Sequence, residues 1–156
     1  MRMRIVLVGA LLFCITACGL IPTAPLAPIV ADLDSEFTLA PGQSATINGT
    51  DLKITLLSVP GDQRCPLNIE CAASGPVSVA ISIQSNSGTP QEMDFMTVTD
   101  NDGKVPEMEF EGMTTRIAHN GYEVLVKSIL PFPQNRMGEI KTEDYRVGLV
   151  VIKSEN

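Results

Sequence analysis

From Phe37 onward apolar and polar residues alternate over short stretches, and no segment carries a long apolar stripe at the 3.6-residue spacing of a helix. The cleanest stretch places Val77, Val79, Ile81 and Ile83 on one face and Ser78, Ala80, Ser82 and Gln84 on the other. Period-two alternation of this kind predicts antiparallel strands with one face in a core and one in water. Upstream, Phe37 and Leu39 alternate with Glu36 and Thr38, Pro41-Gly42 marks a turn, and Ala45 and Ile47 continue the pattern. Asn48-Gly49, a strong hairpin signal, leads into Leu52, Ile54 and Leu56. A change of phase from Leu57 to Val59 then predicts a bulge. Pro60 to Pro76 shows little periodicity and reads as a long insertion that something must hold.

The second half repeats the theme more weakly. Met93, Phe95 and Thr97 predict a strand ending at Asp100-Asn101-Asp102-Gly103, Met108 and Phe110 a short one, and Met113, Thr115 and Ile117 another. A second Asn-Gly pair, Asn120-Gly121, joins that strand to Tyr122, Val124 and Val126. Leu130-Pro131-Phe132-Pro133 interrupts the ladder with a rigid elbow, and Tyr145, Val147, Leu149 and Val151 form the last inward face. Strands that are apolar on one side must pair those sides. The expected fold is therefore all-β, a two-sheet antiparallel sandwich of seven to nine strands over residues 35–153, with an open barrel as the alternative.

The first residues follow a different rule. Arg2 and Arg4 precede an apolar run from Ile5 to Ile15, too short to cross a bilayer of roughly 30 Å, and a small pair, Thr16-Ala17, precedes Cys18. Ile15-Thr16-Ala17-Cys18 resembles the lipobox of bacterial lipoproteins. The resemblance implies a signal peptide over residues 1–17 and a mature chain beginning at Cys18, its thiol carrying diacylglycerol and its amine a further acyl chain such as palmitate. Gly19, not aspartate, follows, so the implied location is the outer membrane of a Gram-negative host or the cell surface of a single-membrane one. Residues 18–34, with Pro22, Pro25 and Pro28, read as an extended tether outside the domain.

Removing the first 17 of 156 residues takes away two arginines and leaves nine basic against eighteen acidic side chains, a formal −9. That excess argues against nucleic acid as a partner. Of the four cysteines, Cys14 leaves with the signal and Cys18 is consumed by lipid, so Cys65 and Cys71 are expected to bridge in an oxidising compartment.

Candidate chemistry is sparse. With Asp100 at position three of a calcium loop, Asp102, Gly103 and Glu109 fall at five, six and twelve, but Val98 falls at position one and offers no side-chain oxygen. Asp100 to Gly103 therefore reads first as a turn, with Asp100, Asp102 and Glu107 as a weak calcium alternative. Met93, Met96, Met108 and Met113, with His119 beyond them, could present thioethers to Cu(I), but read first as irregular core filler. His119 is the only histidine and has no base-orienting neighbour in sequence, so neither a catalytic residue nor a cofactor is expected.

The segment of strongest individuality is Asp62-Gln63-Arg64-Cys65-Pro66, followed by Cys71 and Gly75. With Phe37-Thr38-Leu39 upstream and Tyr122-Glu123-Val124 and Tyr145-Arg146-Val147 downstream, it resembles small secreted or lipid-anchored bacterial β-domains with an R-C-P…C…G element. Where such domains carry an aromatic, this chain has Ala72-Ala73-Ser74. The resemblance implies fold and export, and no reaction. The expectation is a membrane-anchored binding or structural module of the cell envelope, held by acyl chains on Cys18 and able to meet an envelope protein. Arg64 and Asp62 are its candidate contact residues, with a buried ion pair or carbonyl clamp as the other reading of Arg64. A metal-responsive envelope protein and an inhibitor of a secreted hydrolase are the alternative functions.

Overall fold

A computed structural model describes residues 26–154. The lipobox, Cys18 and the first part of the expected tether lie outside them. The described residues form nine strands: β1 (Ile29–Ala31), β2 (Phe37–Leu39), β3 (Ser44–Ile47), β4 (Leu52–Asp62), β5 (Val77–Ser85), β6 (Gln91–Thr97), β7 (Arg116–His119), β8 (Tyr122–Leu130) and β9 (Arg146–Lys153). They make two sheets, β1-β3-β4-β5-β6 and β2-β9-β8-β7, so the fold is a β-sandwich rather than a closed barrel. All pairings are antiparallel except that of β1 with β3, which is parallel.

The alternation read from the chain sets the two inner faces. Ile54, Leu56, Val77, Val79, Ile81, Ile83 and Phe95 from the larger sheet meet Leu39, Val124, Val126, Val147, Leu149 and Val151 from the smaller, all buried. Each such side chain contributes roughly 1.5–3 kcal/mol by leaving water, which is what holds the layers together. The phase change after Leu56 is a pair of register shifts, between Leu56 and Ser58 and between Ser58 and Gly61. They absorb Pro60, which could not donate to a regular ladder. A further shift between Val126 and Ser128 turns Ile129 inward, where strict alternation from Val126 would have placed Ser128.

Three expectations are corrected. The sheet begins before residue 35: Ile29–Ala31 of the expected tether pair with Ala45–Ile47, because Ala31 is small enough to be buried and Leu33 packs against the core. The unpaired insertion is shorter than Pro60 to Pro76, since β4 continues to Asp62 opposite Val77. Met108 and Phe110 form no strand and are exposed. Their connection follows a strap, in which Gly103 accepts from Ile129 N at 2.8 Å and Val105 donates to Lys127 O at 2.9 Å, extending the β7 edge along lower β8. Gly103 is required there, having φ +77° and so little room that a Cβ would lie 2.6 Å from Ile129 O.

Strand directions define two ends. β3 runs antiparallel to β4, and β1 parallel to β3, so β1 enters the sheet at the end where β4 leaves it. That end carries the β4–β5, β6–β7 and β8–β9 connections; the opposite end carries the turns at residues 32–36, 48–51, 86–90 and 120–121.

Candidate functional site

The β4–β5 connection closes on itself through a disulfide between Cys65 and Cys71, with Cα atoms 6.0 Å apart. Its stem continues the ladder: Gln63 N donates to Pro76 O at 3.0 Å and Gly75 N to Gln63 O at 2.9 Å. Gly75 fits because a Cβ would lie 2.7 Å from that of Gln63, which accounts for the glycine at the end of the R-C-P…C…G element. The ring docks on the β8–β9 connection, where Leu67 N donates to Pro133 O, Asn68 N to Gln134 O and Asn68 Nδ2 to Asn135 Oδ1. That partner is itself fixed: the Glu139 carboxylate accepts from the backbone N–H groups of Gln134 and Asn135, which hold its pKa below the ordinary value.

Arg64 lies beneath the ring, with 0 % of its surface exposed. Nε and Nη2 donate to Asp62 Oδ1 and Oδ2 at 2.9 and 2.6 Å, Nη1 to Ile129 O at 2.8 Å, and Nη2 to Pro131 O at 3.0 Å. Four of its five N–H groups are thereby used, and the guanidinium carbon sits 4.9 Å from the centroid of the Phe132 ring. Asp62 Oδ1 also accepts from Arg64 N, and Oδ2 from the Tyr145 hydroxyl at 3.0 Å. The cluster therefore ties β4 of one sheet to the end of β8 and the start of β9 in the other. Burial by itself raises the Asp62 pKa, but the hydrogen bonds and charge of Arg64, helped by Tyr145, outweigh it and leave the net shift downward. Burial, then the neighbouring Asp62 carboxylate, pushes the Tyr145 phenol above its ordinary value.

This geometry decides the two readings of Arg64 and corrects the choice of contact residues. Arg64 and Asp62, whose side chain is 6 % exposed, face inward and form the clamp. What the clamp presents outward is Leu67 and Ile69, 45 % and 43 % exposed, with Met137 of the docked connection at 53 %. The sequence contained these side chains but no periodicity to mark them, since the ring's shape depends on partners more than sixty residues away.

The other candidates separate. Asp100 Oδ1 accepts from Asp102 N and Lys104 N, the Asx turn of the first reading. Glu107 extends into solvent 4.0 Å from Lys127. Met93 packs against the core, whereas Met96 and Met108 are exposed. His119 Nε2 lies 2.9 Å from Ser85 Oγ, and Asn120 Nδ2 donates to the same hydroxyl at 3.0 Å, a contact hidden from the sequence by 34 residues of separation. A nucleophile and base this close satisfy one requirement of acyl transfer, but among the described residues no acceptor orients the far ring nitrogen. The trio latches the end of β5 to the end of β7.

Comparison with protein-family models, with curated proteins and with solved structures finds no match to this chain.

Proposed function

We propose that this chain is a lipid-anchored, extracytoplasmic β-domain that acts without catalysis, as a binding or structural module of the cell envelope, and that the disulfide ring is its contact surface. The observation that carries this reading is the combination at the ring of a buried base clamped by hydrogen bonds with apolar side chains held in water. Ring closure, docking on residues 133–135 and the Arg64 clamp leave Leu67 and Ile69 few conformations to lose on contact, which favours recognition. Loops on a rigid sheet scaffold are where such domains carry recognition. Anchoring rests on the lipobox-like Ile15-Thr16-Ala17-Cys18.

The test has two parts. Intact-mass measurement of protein purified from the native envelope is expected to give a chain starting at Cys18 with added lipid, and Cys18→Ala is expected to release the domain from the membrane fraction. A photoreactive residue in place of Ile69 is expected to capture neighbours in intact cells, and one in place of Asn86, at the opposite end, is not. Equal capture at both positions removes the ring from the contact role.

A further inference from the structure

We propose that the surface met by the disulfide ring is the bilayer itself: the domain stands on its anchor end, with Leu67, Ile69 and Met137 entering the headgroup region. This rests on the lipid anchor at Cys18 and names the partner of the contact surface described above.

Three observations converge. The first is polarity. Of the nine large apolar side chains that the described residues leave exposed, six lie at the anchor end; Val30 lies on β1, and Met108 and Phe110 on the loop beside the β8 edge. Leu26 precedes β1; Leu67, Ile69 and Met137 lie on connections at that end; Met96 and Leu130 lie on the strand ends that enter them. The opposite turns expose no large apolar side chain and carry Asp32, Asp34, Glu36 and Asp51, with Lys53 and Lys153 on the strand ends beside them. An end that exposes apolar side chains and one that exposes only polar ones orient a tethered body at a water–lipid boundary.

The second is reach. Eleven residue steps separate Cys18 from Ile29, the first residue of β1, and a chain of that length spans at most roughly 40 Å. β4 projects seven residues past Thr55, the partner of the first residue of β3, which is roughly 20 Å toward the same side. The ring thus fills about half of the largest gap the anchor permits.

The third is charge. An acidic domain is repelled by an anionic surface, and the ring with its dock is only weakly acidic: residues 65–75 carry Glu70, and residues 131–145 carry Arg136 and Lys141 against Glu139, Glu143 and Asp144. The acidic connection that carries Glu107, Glu109 and Glu111 leaves from the edge strands β6 and β7, across the sheet from β1. The ring and its dock are therefore an apolar foot of small net charge on an acidic body, suited to zwitterionic headgroups and not to anionic ones.

The chain contains no tryptophan, which makes a direct test available. Full-length lipidated Ile69→Trp and Asn86→Trp proteins are reconstituted in phosphatidylethanolamine–phosphatidylcholine vesicles, with lipidation confirmed by mass and membrane attachment by flotation. The tryptophan at position 69 is expected to emit at shorter wavelength and to be quenched by lipids brominated near the headgroup. The tryptophan at position 86 is expected to behave as in water. A Leu67→Trp protein repeats the reading should the first substitution disturb the ring. Proteins that float with the vesicles yet show equal, unquenched emission at positions 67, 69 and 86 overturn the bilayer contact while leaving the anchor intact. Capture of one envelope protein at Ile69 in cells, with no lipid quenching in vesicles, assigns the ring to a protein partner and equally overturns it. Loss of flotation with an unmodified Cys18 refutes the anchor instead.

Discussion

Arg64 is among the most deeply buried side chains of the described residues, and it survives there because its charge and four of its five N–H donors are met locally. A guanidinium stripped of water costs several kcal/mol unless its donors and charge are met. Here Asp62 supplies the charge and two strand-end carbonyls supply the remaining acceptors. Arg64→Ala leaves the Asp62 carboxylate buried without its cation and two carbonyls without donors, and is expected to lower unfolding free energy by about 3–5 kcal/mol in denaturant titrations. Arg64→Lys rescues little, because an ammonium cannot bridge both carboxylate oxygens and both carbonyls. Tyr145→Phe removes one hydrogen bond and is expected to cost about 1 kcal/mol. The pH dependence follows from Asp62. Its carboxyl is more acidic folded than unfolded, so its contribution is present above the unfolded pKa of about 4 and is lost as pH falls through the lower folded value. Denaturant midpoints measured from pH 6 down to pH 2 are expected to fall more steeply for the natural protein than for Asp62→Asn, which starts less stable.

The elements divide according to how local their causes are. Strands β5 and β9 were legible because their inward residues alternate without a break, β4 because it alternates as far as Leu56, and Asn-Gly pairs mark the hairpin turns before β4 and β8. Strand β1 was not, since three residues among prolines carry no period and its pairing partner lies sixteen residues on. The Met108–Phe110 segment has strand-like alternation but no neighbour to pair with, because the strap at residues 103–105 already fills the edge of lower β8. For the disulfide ring, the cysteines were legible and the site was not: two meanings of Arg64 remained open until Ile129, Pro131 and Tyr145 were in place around it. Replacing both Cys65 and Cys71 with serine is expected to cost roughly 2 kcal/mol through loop entropy. Amide exchange should then quicken at Leu67 and Asn68 while the β4–β5 ladder below Gln63 stays protected. Gly103→Ala forces a left-handed backbone and a clash with Ile129 O, and should lower the thermal midpoint by the equivalent of about 1–3 kcal/mol.

For the whole molecule, exposed apolar side chains gather at the end of the sandwich where the disulfide ring stands. Leu67 and Ile69 protrude from a ring whose stability comes from beneath, so Leu67→Ser with Ile69→Ser should leave unfolding free energy within about 0.5 kcal/mol of the natural protein. A thermal scan of that double variant separates surface from scaffold: an unchanged midpoint marks both side chains as free for contact, and a large drop marks them as structural. The place of β1 has a mechanical consequence. Because β1 lies parallel to β3, a pull on the chain ahead of it acts along the strand axis and shears the ladder, loading its hydrogen bonds together instead of peeling them singly. The bonds from Asn48 N to Ala31 O and from Gln43 Nε2 to Ala27 O share that load at either end of the strand. A three-residue strand at the sheet margin can thus transmit force from a leash into the body it restrains.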